Sequence, residues 1–82
     1  MAARPQVHMV TIQVNNNPVE VEGPRISGLE IKQAAIDQGV EIQIDFQLAE
    51  IKDAKRQIIG DDDIVTVNKN SKFVATAPDD NS

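Results

Sequence analysis

The sequence predicts an α+β fold: a mixed sheet of four to five strands with one helix packed across one face. Three observations predict it. Two short segments, Met9–Val14 and Pro18–Glu22, alternate apolar and polar residues as half-buried strands do. A helix with clear start and stop signals follows, between Ser27 and Gly39. Alternation then resumes from Ile42 and recurs near the end of the chain. Strand, strand, helix, strand, strand is an order that one helix and one sheet can close into a single core.

In the first strand Val10, Ile12 and Val14 share one side, with Thr11 and Gln13 on the other. Asn15-Asn16-Asn17 turns the chain, because Asn tolerates left-handed backbone angles. Val19 and Val21 then face inward to complete a hairpin, and Gly23-Pro24 stops it. At the helix start, Ser27 and Glu30 stand in capping-box positions, each able to satisfy a free backbone N–H. Ile26 and Ile31 occupy the flanking hydrophobic-staple positions. Gly39 supplies the left-handed residue that closes the helix, with Val40 packing back on Ala35. The helix is predicted over 28–38, with Ile31, Ala34 and Ala35 on its core face. Leu29 and Ile36 form a second apolar stripe, open to two readings: cover by a loop, or contact with a partner.

Ile42, Ile44, Phe46 and Leu48 alternate with Gln43, Asp45 and Gln47, which predicts the strongest strand of the chain near the middle of the sheet. Residues 50–59 are open to a short strand, a bend or an irregular crossing. Gly60-Asp61-Asp62-Asp63 is a turn, Ile64–Val67 a short β-branched strand, and Asn68–Ser71 another turn. Lys72–Ala77 is the final strand, with Phe73, Ala75 and Ala77 on one side. The predicted core joins Val10, Ile12, Val14, Val19, Val21, Ile44, Phe46 and Val67 to Ile31 and Ala35. The other sheet face is predicted to be mostly polar: Thr11, Gln13, Glu20, Glu22, Gln43, Asp45 and Gln47, with apolar surface only from Met9, Ile64 or Val74.

With 82 residues the chain makes one domain, expected over 9–77, with a loose leader over 1–8 and a flexible tail over 78–82. A net charge of -5 argues against nucleic-acid phosphates, and two aromatics are too few for a base-stacking platform. No apolar run approaches the ~20 residues of a membrane span, and the N-terminus has no secretory pattern. There is no cysteine, so no disulfide or thiolate, which suits a cytoplasmic setting.

Catalytic signals are nearly absent. His8 is the only histidine and has neither nucleophile nor carboxylate context. Asp61-Asp62-Asp63 lacks the spread of oxygen ligands that a calcium loop needs and reads as a solvated turn. The four glycines are scattered and cradle no phosphate. Nothing here supports an enzyme. Lys52, Lys55 and Arg56 form a small basic cluster, either a solvated surface or a docking patch for an acidic partner. The tail carries a carboxylate about 16 Å beyond the last strand when extended.

These residues resemble a known group. Val10–Asn16, Val19–Pro24 and Ile26–Ile31 look like the start of the bacterial multiubiquitin-type ubiquitin-like domain, in which a short hairpin runs into Gly-Pro and an Ile-Ser/Thr-Gly helix start. Gly60–Val67 resembles its acidic turn and following strand, and Phe73–Ser82 its closing segment. The resemblance spans residues 9–82 and implies the ubiquitin-like β-grasp fold. It also implies a protein modifier encoded beside proteins resembling ubiquitin-activating enzymes, ubiquitin-conjugating enzymes and JAB-type metalloproteases, in operons associated with stress and phage defence. The chain itself would hold no cofactor; ATP would serve the activating enzyme. Ser82 would be the attached carboxylate, with Asn81, Asp80 and Asp79 read by the enzyme channel. The sequence ends without the Gly-Gly of most conjugated relatives of this fold, so the expected channel either admits side chains or receives a trimmed tail. Lys32, Lys52, Lys55, Lys69 and Lys72 are the candidate acceptors for chain building. Leu29, Ile36, Lys55 and Arg56 are the candidate partner surface.

Overall fold

The computed structural model describes residues 8–78; all of the expected leader and tail except His8 and Pro78 lies outside the described residues. Its elements are β1 (His8–Val14), β2 (Asn17–Gly23), β3 (Arg25–Ser27), α1 (Gly28–Asp37), β4 (Gln47–Lys52), β5 (Lys55–Ile59), β6 (Ile64–Thr66) and β7 (Lys72–Thr76). Five strands form one mixed sheet in the order β2-β1-β7-β4-β5, parallel only between β1 and β7. β3 and β6 form a separate antiparallel ladder of two strands. One helix against this sheet gives the ubiquitin-like α+β grasp.

The first hairpin follows the sequence closely. Asn15 and Asn16 take positive φ of 51° and 67°, and Val14 pairs with Asn17 across them. A two-residue turn of this kind matches the twist of its strands. The helix ends are also as predicted. Ser27 Oγ accepts the Glu30 N–H, and Glu30 Oε1 accepts the Ser27 N–H at 3.0 Å. Gly39 sits at φ 96°, its N–H donates to Ile36 O, and the Val40 N–H donates to Ala35 O. These two bonds close the helix as a Schellman motif.

Residues 41–46 depart from expectation. They are not a strand, and Ile44 is 42% exposed rather than in the core. The Ile42 N–H donates to Val40 O and the Phe46 N–H to Gln43 O, so the chain winds down from the helix layer to the sheet. The alternation has a different origin: Ile42 packs into the core, and Phe46 is half-buried against it. The strand begins only at Gln47, and the middle of the sheet belongs to β7. The open stretch 50–59 is the rest of a second hairpin, β4–β5, with Asp53 and Ala54 at φ 52° and 64°.

Phe73, Ile12, Ile31, Leu48, Val14 and Val19 are the largest fully buried side chains. Each contributes roughly 1.5–3 kcal/mol relative to an exposed position. The β3–β6 ladder lies outside this sheet and pins the helix start to the acidic turn. Gly28 N–H donates to Asp63 O and Leu29 N–H to Asp61 O. A Cβ on Gly28 would stand 2.3 Å from Gly60 O, so only glycine permits this approach.

Candidate functional site

The end of β7 decides where the chain leaves the fold. β7 pairs with β4 on one side through Thr76, opposite Gln47. On its other side β1 stops at Val14, opposite Phe73 and three residues short of the strand end. Asn15 continues the ladder in β1's place. Its N–H donates to Phe73 O at 3.0 Å. Its side-chain Nδ2 donates to Ala75 O at 3.1 Å, and its Oδ1 accepts the Ala75 N–H at 2.8 Å. A carboxamide carries a donor and an acceptor like a peptide group, so one side chain supplies the missing rung. The left-handed backbone of Asn15 aims it there; Asn is among the few residues that take this conformation readily. Ala77 and Pro78 follow, exposed. Asp79, Asp80, Asn81 and Ser82, the expected conjugation tail, lie outside the described residues.

Lys32 is a finding the sequence did not signal. It is 4% exposed, although it sits on a helix and was expected among the accessible lysines. Its Nζ donates to Ile44 O at 2.7 Å and to Phe46 O at 2.8 Å, and pairs with Asp61 Oδ1 at 2.7 Å. An ammonium has three donors, and all are used. Lys32 therefore ties the helix, the 41–46 segment and the acidic turn together, and it is not available as an acceptor. The turn is accordingly not simply solvated. Asp61 pairs with Lys32, and Asp63 Oδ2 accepts the Gly60 N–H at 2.8 Å. Lys52, Lys55, Lys69 and Lys72 are exposed.

The candidate partner residues fall on two separate surfaces. Leu29 is exposed at the helix start, and Ile36 is half-buried against the core. Lys55 and Arg56 belong to β5, at the edge of the sheet. Arg56 pairs with Ile51, and Ile51 with Lys72; the next row joins Ile58, Ala49 and Val74. Paired residues share a face, so these six side chains lie on the side away from the helix. That face was expected to be polar. It is apolar at its β5 end because residues 50–59, whose structure the sequence left open, complete β4 and form β5. Gln43 and Asp45 precede β4 and take no part in the sheet, and Ile64 belongs to the small ladder.

A family model described as multiubiquitin matches residues 10–79. This chain belongs to the multiubiquitin family. The matched span takes in nearly all of β1 and every later element of the fold. No curated protein and no solved structure matches the chain. Ubiquitin-like domains are generally non-enzymatic.

The rest of the multiubiquitin domain offers little chemistry. A groove of about 480 Å³ between β2 and the helix is lined by Glu20, Glu22, Glu30 and Asp37, with Arg25 the cation among them. Glu30 is held below the usual carboxylate range by its hydrogen bonds to the Ser27 backbone and hydroxyl. That shift belongs to helix capping. Among the described residues no group of three or more His, Asp or Glu side chains is placed to hold a metal ion, and no helix is long and apolar enough to cross a membrane. His8 is exposed in β1, opposite Gly23.

Proposed function

We propose that this multiubiquitin-family chain is a bacterial ubiquitin-like protein modifier, joined to targets through a carboxylate that follows β7. The observation that carries this reading is the position of β7. The strand is held by β4 up to Thr76 and by the Asn15 carboxamide at Ala75 on its other side, while Ala77 and Pro78 are exposed beyond it. A rigid domain so arranged presents the following segment to another protein's active site while the globular part docks outside.

In this reading the partners supply the chemistry. The carboxylate, Ser82 in the sequence in hand, attacks the α-phosphorus of ATP on a ubiquitin-activating-like enzyme and releases pyrophosphate. A cysteine thiolate then displaces AMP to form a thioester, which passes to a ubiquitin-conjugating-like enzyme. A target amine displaces that thiolate and loses a proton as the amide forms. A JAB-type metalloprotease would hydrolyse the product or trim the tail. Asn81, Asp80 and Asp79 would be read by the enzyme channel. The proposed setting is the cytoplasm, in stress or phage defence.

The test is denaturing mass spectrometry on N-terminally tagged chain made together with its neighbouring enzymes. Adducts joined through the C-terminus are expected, and deletion of Asn81 and Ser82 should abolish the thioester. A thioester yield unchanged by that deletion refutes the role given to Ser82. Recovery of unmodified chain alone, beside an active activating enzyme, favours a noncovalent binding module, the reading to which the exposed basic and apolar β5 surface lends support.

A further inference from the structure

The two edges of the five-stranded sheet are built differently. In a hairpin with a two-residue turn, the pair flanking the turn exchanges hydrogen bonds, and alternate residues then turn their N–H and C=O outward. On β2 the outward positions are Pro18, Glu20 and Glu22. Pro18 has no N–H to offer. Both groups of Glu20 are taken by the Gln38 carboxamide, its N–H by Oε1 at 2.9 Å and its C=O by Nε2 at 2.7 Å. That edge is blunted at Pro18 and Glu20, with Glu22 left open at its far end among the described residues, and it is acidic. On β5 the outward positions are Arg56 and Ile58. Among the described residues no hydrogen bond reaches their outward N–H or C=O groups.

We propose that the β5 edge is a docking site that takes an extended, acidic segment of a partner protein as an added strand. An open edge supplies main-chain hydrogen bonds, and the alternating side chains supply selectivity. Lys55 and Arg56 on the strand, with Lys52 at its turn, set a local positive charge on a chain whose net charge is -5. A partner residue opposite Arg56 is therefore a carboxylate. One opposite Ile58 is apolar and extends the row formed by Ile58, Ala49 and Val74. A second copy of this chain fits poorly, because two sets of Lys55 and Arg56 would share one short ribbon. This surface acts without covalent chemistry and stands independently of conjugation.

The test is amide hydrogen exchange and chemical-shift mapping on the full ¹⁵N-labelled chain. The probe is a synthetic peptide repeating Thr-Glu-Thr-Val, which sets Glu and Val two residues apart on one face to meet Arg56 and Ile58, compared with its counterpart carrying Lys for Glu. The acidic peptide is expected to slow exchange at the Arg56 and Ile58 amides about tenfold or more, and the basic one to leave them unchanged. K55E with R56E should weaken the acidic peptide about tenfold. Ile58→Pro removes an outward donor while leaving the Gln57 and Ile59 pairings with β4, and should abolish the protection at Arg56. If that variant does not fold, R56E alone still reads the charge requirement.

Shift changes on the sheet face without protection at Arg56 and Ile58 overturn the added strand. So does equal binding of the basic peptide, or no response at millimolar acidic peptide. Protection without peptide that grows with protein concentration assigns the edge to a second copy. Protection without peptide and independent of concentration assigns it to this chain's own residues. Either result overturns the proposal.

Discussion

The two hairpins of the sheet share a turn geometry and little else. In the first, Asn15 and Asn16 take left-handed φ at low cost, Asn15 then clamps β7, and Gln38 closes the outer edge. In the second, the same geometry falls on Asp53 and Ala54, and the outer edge is open and basic. The second hairpin is joined to the helix through the preceding 41–46 segment, whose carbonyls Lys32 holds. The difference teaches a division of labour. One hairpin is committed to stability, while the other leaves its hydrogen-bonding capacity for something outside the domain.

The largest expected break is at the Lys32 tether. Lys32→Met keeps the apolar stem but leaves two loop carbonyls and Asp61 without their cation. It should cost about 2–3 kcal/mol, since Asp61 is half-exposed and the full buried-pair penalty does not apply. Urea unfolding should show a lower midpoint at similar slope. Next comes the first hairpin's clamp. Asn15→Gly keeps the left-handed backbone accessible and removes only the side-chain rung, at about 1–2 kcal/mol. Exchange at the Ala75 amide should quicken more than at Phe73, and equal effects on both would deny the clamp a local role.

Smaller changes sharpen the contrast between the edges. Gln38→Ala should cost about 0.5–1 kcal/mol and expose the Glu20 amide to exchange, giving β2 an edge nearer to that of β5. The smallest effect expected is a gain. Ala54→Gly relieves a left-handed alanine and should stabilise the domain by about 0.5–1 kcal/mol, read as a melting point raised by about 4 °C. No gain there would mean that the second turn is as well accommodated as the first.

What the sequence revealed was what neighbours in the chain decide. The Ser27–Glu30 box, the Gly39 stop and the Asn turn are local hydrogen-bonding and φ requirements, and each is where it was expected. The second turn was hidden because Asp53 and Ala54 include no Gly or Asn to mark positive φ. Residues 42–46 misled because their alternation is real, yet only Ile42 and Phe46 turn toward the core there, without a strand partner, and Ile44 is exposed. Lys32 could not be distinguished from a solvated helical lysine until the 41–46 segment and Asp61 were brought beside it. Lys55 and Arg56 were legible as a charged cluster, but their place on an open edge depends on strand order, a long-range property. β6 was legible as the short strand at Ile64–Val67, but its pairing with β3, some forty positions away, left no local trace.

The central strand of this sheet is also the last of its five to be made. β1 and β4 are both synthesised with their facing edges empty, and only the arrival of β7 fills the gap between them. Until then the growing chain presents two adjacent unpaired edges to any other strand nearby. The interval between the making of β4 and the docking of β7, a separation of about twenty residues, is the window in which these edges are open to a wrong strand.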